Sequence, residues 1–162
     1  MPDSIDLARY SVFAPPDPFE DHVGPFYFRI GGDAQQAGSV HCVLPTEPRH
    51  ANYKGGVHGG AVLAFADYAL CLVAGRAADK GTNTSFAMTV SIAVEFLSAG
   101  RVGAPLEATG EPLQVTGRMA FARRRTSTPV MPGIRWSERI TATSGSAWRR
   151  SRASVPLLQV TT

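Results

Sequence analysis

The sequence predicts an α+β domain, and three stretches carry that prediction. Residues 61–74 contain helix-forming residues, no proline and a single charge, Asp67. A helix that is apolar all round is buried, either in a protein core or in a membrane. Residues 86–97 alternate, with Met88, Val90, Ile92, Val94 and Phe96 on one side and Thr89, Ser91, Ala93 and Glu95 on the other. That period of two predicts a strand whose first set faces the core. Residues 25–30 and 39–44 are apolar and β-rich around a Gly31-Gly32-Asp33 turn, and read as a hairpin or as neighbouring strands.

The remaining elements follow in order. Residues 1–25 hold Pro15, Pro16 and Pro18, which cannot continue a helix or a central strand. They read as a surface arm with a short helical turn near residues 5–10, packing over a sheet edge or covering a pocket. Pro45 and Pro48 end the first pair of strands. Arg49, His50 and Lys54 then bring positive charge to a glycine-rich loop, either as phosphate contacts or as a solvated surface. Gly55 and Gly56 suit a turn, Gly59 and Gly60 a tight helix entry, and Gly75 a helix stop. Residues 76–84 are turn-like, as are residues 99–103. Residues 105–116 read as a strand that Pro112 interrupts or bulges. A further strand begins at residues 117–122. Arg123, Arg124 and Arg125, followed by Pro129 and Pro132, do not read as its continuation but as a long loop or an altered reading of the coding sequence. Residues 139–148 read as a last strand. Arg149, Arg150 and Arg152 form a basic cluster suited to phosphate or to a solvated sheet edge.

Composition narrows the function. The chain has 162 residues, 44% hydrophobic and 18% charged, which suits one soluble domain. A net charge of +3 is too mild to argue for nucleic acid. Asp67 interrupts the apolar run before it reaches membrane-spanning length, which argues against a membrane segment. Cys42 and Cys71 have no metal-like spacing, and with no secretory pattern at the start they suggest a reduced, cytoplasmic setting.

The chemistry gathers around the buried helix. A carboxylate there is disfavoured unless a partner or water reaches it, so Asp67 is either a structural hydrogen-bonding group or a general base or nucleophile. Free amides at a helix start bind anions, which makes Gly59 N–H a candidate donor to an oxyanion, although tight packing also explains the glycine. Asn52 can orient a carbonyl or water, or serve only the turn. His58 is a candidate base or a local hydrogen-bonding group. Gly59 and Asp67 lie about 12 Å apart along one helix. One reacting carbon cannot touch both, so a site that uses both draws them from two antiparallel copies, in an isologous dimer.

Read together, Asn52, His58-Gly59-Gly60 and Asp67 resemble the motif of the hotdog-fold acyl-CoA thioesterases. The likeness is greatest to the phenylacetate-degradation type and its relatives acting on hydroxybenzoyl-CoA or fatty acyl-CoA. It runs from about residue 26 to 111. The resemblance implies a long central helix wrapped by an antiparallel sheet, with residues 1–25 as an arm, 26–150 as the domain and 151–162 as a tail. It implies thioester hydrolysis with Asp67, Gly59, Asn52 and Thr89 as catalytic candidates. Thr89 best matches the hydroxyl that the family places near its carboxylate, and Ser91 is the alternative. His58, Gly60, Ser91, Arg123 and Arg124 are the candidates for holding substrate. Coenzyme A enters as part of the substrate, with no metal or separate cofactor. A homodimer, pairing into a tetramer, is expected. The rivals are an acyl-CoA-binding protein without turnover, an enoyl-CoA hydratase, or a module with no small ligand.

Overall fold

The computed structural model describes the backbone of residues 5–14, 17–31, 39–78, 87–94, 96, 98–116, 120–127 and 138–144. Side chains are described for the same residues except 111, 121, 123–127 and 138–144. Residues 128–137 of the loop expected from Arg123 onward, the basic cluster at 149–152 and the tail therefore lie outside the described residues.

The architecture is a hotdog fold: one long helix, α2 (Gly59–Ala78), lies against a six-stranded sheet in which every pairing is antiparallel. The strands are β1 (Tyr27–Ile30), β2 (Val40–Leu44), β3 (Ala87–Val94), β4 (Leu106–Val115), β5 (Ala120–Ser127) and β6 (Glu138–Ser144), in the order β1-β2-β4-β5-β6-β3. Phe65 and Leu70 of the helix are fully buried against Cys42 and Leu44 of β2 and Leu106 and Ala108 of β4. Each such side chain contributes roughly 1.5–3 kcal/mol by leaving water. α2 is long and apolar enough to cross a bilayer, but the face it buries is covered by the sheet.

Several expectations change. Gly75 does not stop the helix. It is buried inside α2, which continues to Ala78, because packing against the sheet outweighs glycine's weak helix propensity. The proline-rich arm contains a short helix, α1 (Pro18–Val23). Pro18 occupies its first turn, where a missing N–H costs nothing, and the Asp17 side chain accepts from Phe19 N–H. Residues 123–127 continue β5, with Arg123, Arg124 and Arg125 opposite Glu111, Gly110 and Thr109. Ladder hydrogen bonds use the backbone alone, so a run of arginines does not end a strand. Pro112 does mark a bulge, the register shifting between Pro112 and Gln114.

β3 also departs from strict alternation. Its register shifts between Thr89 and Ser91, leaving Val90 as the extra residue of a bulge. Ala87 and Thr89 turn partly inward before the bulge, and Ile92 and Val94 do so after it. Met88 and Val90, expected in the core, are exposed at 66% and 46%.

The arm is fixed to the sheet. Ser11 and Phe28 exchange both backbone hydrogen bonds at 2.8 Å, covering the free edge of β1. His41 stands 3.0 Å from Glu107 through Nε2, and its Nδ1 meets the Tyr10 hydroxyl at 2.8 Å. In the core, the Tyr68 ring packs 5.0 Å from that of Phe26, and its buried hydroxyl meets no partner among the described residues. Burial first, then Cys42 and Glu20, push this phenol well above its usual range. Tyr68→Phe therefore raises the unfolding free energy by about 1 kcal/mol, because an unbonded buried hydroxyl costs more than it returns. Denaturant titration reads the change, and a loss of stability would show that the hydroxyl is bonded.

Candidate active site

The loop before α2 is built by Asn52. Its Oδ1 accepts from Lys54 N–H at 2.9 Å and Gly56 N–H at 3.2 Å, while Nδ2 reaches Val57 O at 3.5 Å. The turn closes through Gly55, whose φ of +82° disfavours any side chain. Val57 N–H then donates to Gly100 O at 2.8 Å and His58 N–H to His50 O at 2.7 Å, locking the loop to its neighbours. Asn52 thus holds the loop's shape.

The helix start distributes its amides unevenly. Gly60 N–H donates to His58 Nδ1 at 2.9 Å, which makes the imidazole the cap of α2. A Cβ on Gly60 would stand 3.0 Å from that nitrogen, so a side chain there would press the imidazole back by a few tenths of an ångström. Ala61 and Val62 N–H both donate to His58 O, at 3.0 and 3.2 Å. Of the first four amides, only that of Gly59 meets no acceptor among the described residues. It lies at the positive end of the helix dipole, half-buried beside the Phe96 ring.

Further along α2, Asp67 is half-buried, and Thr89 of β3 donates its hydroxyl proton to Asp67 Oδ1. The other carboxylate oxygen has no hydrogen-bond partner among the described residues. The β3 bulge makes this contact possible, because unbroken alternation would put Thr89 and Ile92 on opposite faces. Ser91 lies beyond the bulge and is exposed, with no contact to Asp67. Arg123 and Arg124 are placed only by backbone register, opposite Glu111 and Gly110.

The charges read as either phosphate contacts or a solvated surface are mostly engaged elsewhere. His50 is 2% exposed; its Nδ1 accepts from Glu47 N–H at 2.8 Å, which leaves Nε2–H to donate to Val23 O at 2.9 Å. Arg49 donates to Gly24 O and pairs with Glu47 at 3.2 Å. These two hold the arm to the loop. Lys54 remains exposed, its ammonium 5.6 Å from the centre of the Tyr53 ring. Two neighbours escaped sequence reasoning. Phe96, assigned to the core, is 52% exposed beside Gly59. Cys71 lies within hydrogen-bonding range of Thr89, and its i+4 spacing from Asp67 was the available signal.

Comparison with known proteins bears on the fold. Residues 54–125 match the family model described as the Thioesterase superfamily, a span that includes the helix start, Asp67 and Thr89. Comparison with curated proteins gives no match. Among solved structures, the chain is similar to the PaaI protein from the phenylacetic acid degradation operon of E. coli: TM-score 0.63, 14% identity, 80% of this chain and 86% of that one. It is similar to a hypothetical thioesterase with coenzyme A from Streptococcus pneumoniae TIGR4: TM-score 0.59, 18% identity, 74% and 87% covered. Mouse thioesterase superfamily member 2 gives a TM-score of 0.61 at 17% identity, covering 77% and 86%. Identities this low carry the fold.

Proposed function

We propose that the protein hydrolyses acyl-CoA thioesters to a free acid and coenzyme A. The observation that carries this reading is the amide of Gly59 at the start of α2, the one of the first four without an acceptor among the described residues, in a segment that also presents a half-buried carboxylate. Gly59 N–H donates to the thioester oxygen and stabilises the charge that develops as the carbonyl is attacked. Asp67 takes a proton from water as the water oxygen bonds to the acyl carbon, or attacks that carbon itself to give an anhydride that water then opens. In the first route the carbon–sulfur bond then breaks and the thiolate takes the proton from Asp67; in the second it breaks as the anhydride forms, and the thiolate takes its proton from solvent. Thr89 holds one oxygen of Asp67 and leaves the other for water. Asn52 and His58 keep the amide in place. The scheme uses no metal or resident cofactor.

The two groups are about 12 Å apart on one helix, so each site draws Gly59 from one protomer and Asp67 from its partner. In support, β3 pairs only with β6 among the described strands, so its other edge is open to a second copy. Met88 and Val90 of β3 are exposed, as is Phe96 beyond the end of the strand, and Leu63 of α2 is 37% exposed between Gly59 and Asp67. Thiol release from aromatic, short-chain and long-chain acyl-CoA esters tests the activity and names the acyl group. Tight binding without release would select a binding protein instead.

A further inference from the structure

Cys71 lies one turn beyond Asp67 on α2, so both side chains leave the helix on the same face. The β3 bulge brings Thr89 to that face. Thr89 Oγ1 is 3.4 Å from Cys71 Sγ and donates its only proton to Asp67 Oδ1. With that proton committed, the threonine oxygen can serve the thiol only as an acceptor. Burial first, then the charge of Asp67, push the thiol up to about 11, so it keeps its proton at neutral pH.

We propose that Cys71 is a positioning residue: its S–H donates to Thr89 Oγ1 and holds that hydroxyl on Asp67 Oδ1, so that the second carboxylate oxygen stays turned to water. The inference rests on the thioesterase reading above. A threonine in a strand has more than one accessible rotamer, and one further hydrogen bond selects among them. Hydrogen bonds in series also polarise one another, which strengthens the grip on Asp67.

The test pairs kinetics with a spectrum. Cys71→Ala is expected to lower kcat roughly three- to tenfold with KM unchanged, the size of one modest hydrogen bond, and Cys71→Ser to restore most of it. In a Thr89→Val background, Cys71→Ala should cost nothing further, because its action passes through the hydroxyl. A wild-type kcat in Cys71→Ala, or losses that add in full, overturns the positioning role. The S–H stretching band of Cys71 is isolated by difference against Cys71→Ala, with buried Cys42 as the internal reference. It should lie at the lowered frequency of a donor and rise in Thr89→Val. A free-thiol frequency in the wild type overturns the bond itself. If the wild type releases thiol from no acyl-CoA ester, the thioesterase reading and the kinetic role both fail, while the band still decides the hydrogen-bond chain.

Discussion

Asp67→Asn reduces kcat for acyl-CoA hydrolysis by about 10²- to 10⁴-fold, the range of a positioned general base, and leaves KM within a small factor of wild type. The substitution is chosen for what it keeps. Asparagine has nearly the same shape, and its carbonyl oxygen can still accept the Thr89 hydroxyl that now meets Asp67 Oδ1. The half-buried site therefore loses charge and basicity but neither volume nor its link to β3. Thermal unfolding should change little, and a melt beside the kinetics separates lost chemistry from lost structure. A variant that hydrolyses at the wild-type rate removes Asp67 from the mechanism and leaves it as a polar tie between α2 and β3. Thr89→Val is the companion, with a smaller loss, because it loosens Asp67 without removing the base.

Much of this arrangement was legible because the deciding residues break local rules. An apolar run is an ordinary core helix, and Asp67 inside it is the exception that demands a partner. Glycines before the helix forecast a close backbone approach, and His58 there turned out to accept from three of the first four amides, one on its ring and two on its carbonyl, while that of Gly59 meets no acceptor among the described residues. What could not be read was set by distant pairing. The bulge at Val90 depends on β6, some fifty residues further on, and it reversed the exposure expected of Met88. The run Arg123-Arg124-Arg125 looked like a loop because side-chain chemistry was being read where backbone pairing decided. His50 looked like a phosphate contact, yet its ring bonds to Val23, far behind it in the chain, and no local pattern announces that. Local sequence located the chemistry, and long-range register decided which side chains face it.

Gly59→Pro lowers kcat by about 10²- to 10³-fold, the cost of removing one oxyanion donor. Proline is favoured at the first helical position, where its missing N–H is normally an orphan, so this change deletes the proposed donor and preserves the helix. Gly59→Ala is the control. It keeps the N–H, and its Cβ would lie 3.5 Å from the Phe96 ring, an ordinary contact, so activity should stay near wild type. The pair separates an amide that does chemistry from a glycine that is merely small: if both variants fail alike, space matters and the donor does not. Neither variant alone shows whose Asp67 faces whose Gly59. Chains carrying Gly59→Pro and Asp67→Asn, inactive apart, are therefore co-expressed with different tags and purified as heterodimers. One chain then supplies an intact amide and the other an intact carboxylate. Sites shared across a two-fold axis give one good and one doubly damaged site per dimer, roughly half the wild-type rate. Sites contained within a protomer would all remain damaged, and the mixture would stay inactive. The recovered rate thus tests the shared site proposed from a separation of about 12 Å along one helix.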